Sequence, residues 1–129
     1  MSKPKILVNG LIVSNGFRFI GSIVVNKGLI SALDVGITDI ATINPDEYDI
    51  YDCRGKFVLP GVIDEHVHFR DPGMTEKGDI STESRAAVAG GVTSFFDMPN
   101  TIPTTTSIEA WEKKMARAAE ASECNYAFF

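Results

Sequence analysis

A chain of 129 residues that is 44% hydrophobic and 22% charged has an ordinary globular composition, which excludes disordered and fibrous proteins. Its formal net charge of -5 and the lack of a basic run argue against a nucleic-acid-binding protein. Two cysteines, Cys53 and Cys124, are too few for a disulfide scaffold. The N-terminal apolar run is broken at Asn9-Gly10, too early for a signal peptide or a membrane span, so we expect a soluble, cytoplasmic protein without a membrane partner.

The first part of the chain, from residue 5 to about residue 55, contains β-branched and aromatic runs separated by Asn-Gly and Lys-Gly steps. This pattern predicts short strands joined by turns. The predicted strands are KILVNG, LIVSNG, FRFIGSIVV and LISALDVG. Asn15-Gly16 and Asn26-Lys27-Gly28 suit tight hairpin turns, in which the central residues have positive φ. We therefore predict a small antiparallel β unit without a helix.

The second part alternates between strands and helices. VIDEHVHF predicts a strand, and the polar segment RDPGMTEKGDI predicts a loop before a helix over residues 81–89 that Gly90-Gly91 ends. VTSFFDM predicts the next strand and PNTIPTT the next loop. A second helix should begin at Thr106, with Glu109 completing a capping box, before NYAFF begins a third strand. Its apolar stripe should comprise Ile108, Trp111, Met115, Ala118 and Ala119.

This order of elements is typical of parallel βα units. A (β/α)8 barrel needs about 250 residues, so only the opening third of one would fit in this chain. We therefore expect an α/β fold in which the first βα units of a barrel follow the β unit.

The only two histidines lie two positions apart in DEHVHFRDPG. Side chains alternate between the two faces of a strand, so Asp64, His66, His68 and Arg70 share one face if the strand extends that far. Two imidazoles about 6 to 7 Å apart along a strand can converge on one metal ion, and neutral imidazole is a good zinc ligand. The alternative is two ordinary histidines of a strand that bind no metal.

Three details favour a metal site. The pair lies at the carboxyl end of the first predicted barrel strand, where such folds place their active sites. A glycine-containing polar loop follows, and Asp64 precedes the pair and could orient an imidazole. Catalytic zinc sites commonly use three protein ligands and a water, so either carboxylates complete the site or the other ligands lie outside this chain. We favour the second, because the strands that would close a barrel are also missing.

Arg70 and Asn100 are candidate substrate-binding residues. Arg70 follows the histidines in phase and suits a bidentate carboxylate clamp, although it could instead be a surface cation paired with Asp71 or Glu76. Asn100 follows the second strand in MPNT and should reach the same rim. Its amide can both donate and accept, which suits an acid or amide ligand, although taken alone its loop is merely a turn.

PGVIDEHVHFRDPG, followed by AAVAGGVTSFFDMPNTIP, resembles the N-terminal part of dihydroorotases in the amidohydrolase superfamily. The resemblance covers roughly residues 52–105 and extends more loosely over the preceding β unit. It implies that residues 1–55 are the N-terminal part of a small β-sandwich domain. It also implies that residues 56–129 are the first part of a metal-dependent (β/α)8 barrel of the amidohydrolase type, which continues beyond this chain.

The family opens and closes cyclic amide rings at a binuclear metal centre, usually zinc. The resemblance implies that His66 and His68 bind the more buried metal, and that Arg70 and Asn100 hold the carboxylate of dihydroorotate. It places the bridging carboxylate (carboxylated lysine or aspartate), two further histidines and the catalytic aspartate outside this chain, so we expect the isolated segment to be inactive. The implied reaction is the reversible cyclisation of N-carbamoyl-L-aspartate to L-dihydroorotate in pyrimidine synthesis, with small molecules as partners and a homo-oligomer left open.

Related enzymes provide the alternatives. Allantoinases resemble the chain over HVHF and GGVTS, but typically lack the Arg-Asp-Pro-Gly continuation and have Pro-Leu-Asn in place of Pro-Asn-Thr. Hydantoinases usually carry His-x-His without the following arginine. HFRDPG and MPNT occur together here, which favours dihydroorotase. The other interpretations are allantoinase or another cyclic amidase, and a non-catalytic amidohydrolase homologue that acts as a structural partner.

Overall fold

The first of two structural units is a five-stranded β-sheet. The computed structural model describes residues 2–129; the first unit ends at Pro60 and the second comprises Gly61–Phe129. The sheet has the order β3-β2-β1-β4, and β5 also pairs with β1. Its strands are β1 (Lys5–Ser14), β2 (Phe17–Asn26), β3 (Leu29–Val35), β4 (Asp49–Asp52) and β5 (Phe57–Val58).

Both predicted hairpins are confirmed, whereas the wholly antiparallel sheet is wrong. β1 pairs with β2 and β2 with β3 in antiparallel fashion, through turns whose central residues, Asn15-Gly16 and Lys27-Gly28, all have positive φ. β4 and β5, however, pair with β1 in parallel. A parallel pair needs a long crossover rather than a tight turn, and residues 36–48 provide one between β3 and β4. A single 3-10 turn, Ile40–Thr42, lies in that crossover, where no helix was predicted.

Asn9 explains why KILVNG and LIVSNG form one strand rather than the two predicted. It has a φ of 62° and lies where the register of β1 against β2 shifts, between Leu7 and Gly10. Its side-chain amide donates to the Thr38 carbonyl at 3.0 Å, and its Oδ1 accepts from the Thr38 N–H at 2.7 Å. An Asn-Gly step can therefore form a bulge inside a strand when a distant segment satisfies its amide.

The second unit alternates strictly between strand and helix, as predicted. Three parallel strands lie side by side in the order β6-β7-β8. The elements are β6 (Val62–Val67), α1 (Ile80–Ala89), β7 (Val92–Asp97), α2 (Ile108–Ala121) and β8 (Asn125–Phe128). A core of Phe69, Ile80, Phe95 and Ala118 is buried among these elements. The fold is thus α/β, while the closed barrel, the sandwich and the division into those two domains stay predictions.

The helix ends show how local sequence sets the boundaries. Asp79 is the N-cap of α1, where its carboxylate accepts the Thr82 N–H at 2.8 Å. This hydrogen bond lowers the pKa of Asp79. The predicted cap at Thr106 is wrong by one residue, because the Ser107 hydroxyl accepts the Ala110 N–H instead. Within residues 2–129, neither helix has the length and apolar character needed to cross a bilayer.

The apolar stripe of α2 is only partly correct. Ala118 is fully buried, but the side chains of Ile108 and Trp111 are exposed, at 74% and 42%. The other buried residue of this helix is Lys114. A charged residue that the predicted stripe did not include therefore occupies a core position.

Candidate functional site

The two histidines lie together at the carboxyl end of β6. His66 belongs to the strand, and His68 follows the last strand residue, Val67. Their ring centroids are 5.1 Å apart, the ring planes are inclined by 68°, and both residues are exposed. Two exposed imidazoles at this separation can bind the same ion.

Asn100 adds a polar group from the loop that follows β7. Its Oδ1 lies 2.8 Å from Nδ1 of His68, although the two residues are 32 positions apart in the chain. With the amide oxygen facing Nδ1, that nitrogen carries the ring hydrogen and donates it. In the neutral ring with this tautomer, Nε2 of His68 carries the lone pair through which imidazole binds a metal. Asn100, which the sequence predicted to reach the rim occupied by the histidines, thus contacts His68.

Asp64 acts on the main chain. Its Oδ1 accepts a hydrogen bond from the His66 backbone N–H at 3.1 Å. This contact steadies the strand at the first histidine. The role of Asp64 in orienting an imidazole stays a prediction.

The predicted shared strand face required the strand to extend to Arg70, and β6 ends before both His68 and Arg70. β6 ends at Val67, and Arg70 has a φ of 64°, the left-handed conformation that disfavours any residue with a Cβ. Such conformations concentrate at functional sites. Within residues 2–129 its guanidinium forms no ion pair, because the neighbouring carboxylate of Asp71 is bonded to Arg117 Nε at 3.1 Å. Arg70 is half-buried and lies two positions after His68 in the chain, so its guanidinium is available for a ligand.

A buried ion pair that was not predicted from the sequence lies next to these residues. Lys114 Nζ of α2 lies 2.7 Å from Asp97 Oδ2 at the end of β7, and both side chains are at most 1% exposed. Asp97 Oδ1 accepts the backbone N–H of Phe69 at 3.0 Å. The available signal was the position of Lys114, which is one turn from Trp111 and from Ala118 and therefore in phase with the apolar stripe.

The residues present fit zinc in chemical type but supply only part of a site. Neutral imidazole is a preferred zinc ligand, and the Asn100 contact favours the tautomer of His68 that leaves Nε2 to bind the metal. In the part of the chain that the structure describes, no cluster of three or more His, Cys, Asp or Glu side chains could hold a metal. The two histidines can therefore contribute two ligands, and a complete site needs others.

Comparisons with known proteins place this arrangement in a family. The model of the amidohydrolase family matches residues 57–129. The dihydroorotase of Carboxydothermus hydrogenoformans is 42% identical over 114 residues, which are 81% of this chain and 26% of that protein. The allantoinase of Solibacter usitatus is 43% identical over 116 residues, which are 84% of this chain and 25% of that protein.

Among solved structures, the L-hydantoinase (dihydropyrimidinase) of Arthrobacter aurescens superposes with a TM-score of 0.85 at 30% sequence identity. The match covers 98% of this chain and 27% of that one. The chain thus spans about a quarter of the length of the relatives that it matches. The family match covers the strand that carries the histidines, both βα units and the loop that carries Asn100. The chain belongs to the amidohydrolase family.

Proposed function

We propose that the protein is a dihydroorotase, which interconverts L-dihydroorotate and N-carbamoyl-L-aspartate. The observation that carries the proposal is the contact between His68 and Asn100, together with Arg70, which follows His68 by two positions and forms no ion pair within residues 2–129. It brings a group suited to a metal and a group suited to a carboxylate to neighbouring strand ends. A substrate with a ring amide next to a carboxylate requires both.

His66 and His68 would hold zinc, which when bound supplies a Lewis acid and an activated water for amide hydrolysis. The guanidinium of Arg70 can form two parallel hydrogen bonds with a substrate carboxylate. Asn100 accepts from His68 through Oδ1, so its amide hydrogens remain free to donate to the same carboxylate. Arg70 and Asn100 therefore orient the ring and contribute binding energy, without forming or breaking bonds.

The similarity to a curated dihydroorotase supports this choice, as does the joint presence of HFRDPG and MPNT. A second candidate is another cyclic amidase, because an allantoinase is similar at 43% identity and an L-hydantoinase has the same local fold. These enzymes share ring-amide hydrolysis and differ in the groups that surround the ring. Substrate preference therefore separates the two proposals.

The test is a comparison of substrates with the protein at its full natural length, purified with zinc. We expect dihydroorotate to be turned over with a higher kcat/KM than allantoin or hydantoin. Arg70→Ala should raise KM for dihydroorotate without loss of zinc. Arg85→Ala, which removes an exposed arginine of α1, is the matched control and should behave as wild type.

Preference for allantoin or hydantoin would assign the second candidate. A zinc-loaded protein that turns over none of the three compounds would indicate the non-catalytic homologue. A normal KM in Arg70→Ala would contradict the carboxylate role of Arg70.

A further inference from the structure

One buried ion pair connects α2 with the end of β7. Besides lying 2.7 Å from Asp97 Oδ2, Lys114 Nζ donates to the Met98 carbonyl at 3.2 Å and lies 4.7 Å from the centroid of the Phe128 ring. The contact between Lys114 and Asp97 is ionic, and Asp97 Oδ2 has no aligned hydrogen-bond donor. The ammonium thus contacts Asp97 at the end of β7, Met98 in the loop after it and Phe128 of β8.

The same network encloses the main chain around His68. On one side, the Val67 carbonyl accepts the Met98 N–H at 3.0 Å. On the other side, the Phe69 N–H donates to Asp97 Oδ1 at 3.0 Å. His68 is thus held by a hydrogen bond at each adjacent residue, and both bonds lead to the segment that Lys114 contacts. The Phe69 bond also lies next to Arg70.

Stability alone does not account for this pair. Removing two charges from water has a large free-energy cost, so a buried ion pair is often no more stabilising than apolar residues of the same volume. What the charge pair supplies is orientation. With Oδ2 held by the ammonium, Oδ1 of Asp97 faces the Phe69 N–H.

We propose that Asp97 and Lys114 are positioning residues, which hold the backbone on both sides of His68 so that His68 and Arg70 keep the places from which they act. The part that concerns Arg70 rests on the proposed function. The part that concerns His68 requires only that the protein binds zinc. Neither residue touches substrate or metal in this scheme.

The test compares two double variants that lack both charges. Asp97→Asn with Lys114→Met keeps an oxygen that can accept the Phe69 N–H. Asp97→Leu with Lys114→Met has nearly the same shape and no acceptor. The two proteins therefore differ at a single residue, where Asn can accept the Phe69 N–H and Leu cannot.

We expect the Leu/Met protein to have a KM for dihydroorotate at least about tenfold above that of the Asn/Met protein, because small displacements of binding groups have large effects. It should also release zinc faster to a coloured chelator. The Asn/Met protein should lie between wild type and the Leu/Met protein in both measurements, because it keeps the acceptor for Phe69 but lacks the ammonium that orients it. An Asn/Met protein equal to wild type would remove Lys114 from the positioning residues. A purely structural role would reduce the amount of folded enzyme and leave KM unchanged, since KM does not depend on enzyme concentration.

Equal KM and equal zinc release in the two double variants would overturn the inference, as would a wild-type protein that binds no zinc. If the Leu/Met protein does not fold, Asp97→Ala with Lys114→Met removes the acceptor without a branched side chain, and the same outcomes apply. If the wild type binds zinc but does not turn over dihydroorotate, the proposed function fails. The zinc-release comparison then still decides the role of the pair at His68.

Discussion

Replacing Arg70 by glycine should weaken substrate binding and yet give a more stable protein than replacing it by alanine. Both substitutions remove the guanidinium, so their comparison isolates the backbone. Arg70 has a φ of 64°, in the left-handed region. Glycine occupies this region without a Cβ clash, whereas alanine retains the clash.

The magnitudes follow from these two effects. The left-handed conformation costs a residue with a Cβ roughly 1 to 2 kcal/mol. Glycine avoids this cost in the folded protein, but it raises the conformational entropy of the unfolded chain, which takes back about 0.4 to 1 kcal/mol of the gain in stability. At the centres of these two ranges, the glycine variant should exceed the alanine variant in unfolding free energy by about 0.8 kcal/mol. Loss of a hydrogen bond from a charged donor, about 1.5 to 3 kcal/mol, should raise KM roughly 10- to 150-fold in both.

The assay is equilibrium unfolding in urea, with midpoints compared at unchanged slope, together with KM for dihydroorotate in the same preparations. Arg85, within α1, provides the control. There glycine should be less stable than alanine by about 1 kcal/mol, the opposite sign, because a helix interior disfavours glycine. Equal or lower stability of Arg70→Gly relative to Arg70→Ala would refute the backbone argument. An unchanged KM would refute the carboxylate role.

Three further predictions concern the metal, the amide and the helix cap. His66→Ala should lose zinc, as measured by elemental analysis, whereas Glu65→Ala, which removes the exposed neighbouring side chain, should retain it. Stoichiometric zinc in His66→Ala would show that His66 is not a ligand. Asn100→Asp keeps an acceptor for His68 Nδ1 but repels the substrate carboxylate, so KM should rise while zinc stays bound. Asn100→Leu removes the acceptor as well and should also weaken zinc binding about 10- to 100-fold. Equal zinc affinity of the two variants would contradict the role of Asn100 in selecting the His68 tautomer. A backbone N–H of α1 lowers the pKa of Asp79 below the unfolded value of about 3.9, so its contribution to stability is complete above that pH and is lost as the pH falls through the folded pKa. The stability difference between wild type and Asp79→Asn should accordingly shrink below about pH 4 in urea unfolding, and a difference that does not change with pH would show that the charge is irrelevant.

Local patterns were sufficient for the elements of the second unit. Apolar periodicity and glycine punctuation act over a few residues, and they predicted the order of strands and helices and both hairpins of the first unit. They failed where a distant partner decided the outcome. Asn9 became a bulge because Thr38 satisfies its amide, and β4 became parallel to β1 because the crossover returned the chain beside it.

The candidate site divides in the same way. The sequence by itself determined which chemical groups are present: two histidines at the end of a strand, an arginine after them and an asparagine after the next strand. Only the tertiary structure decided which of them meet. His68 contacts Asn100 because parallel strands end at the same sheet edge, and that contact spans 32 positions. Lys114 is buried opposite Asp97, because a charged side chain can leave water when a partner of opposite sign is in place. That partner lies 17 positions away in the chain, so no local sequence pattern indicates it.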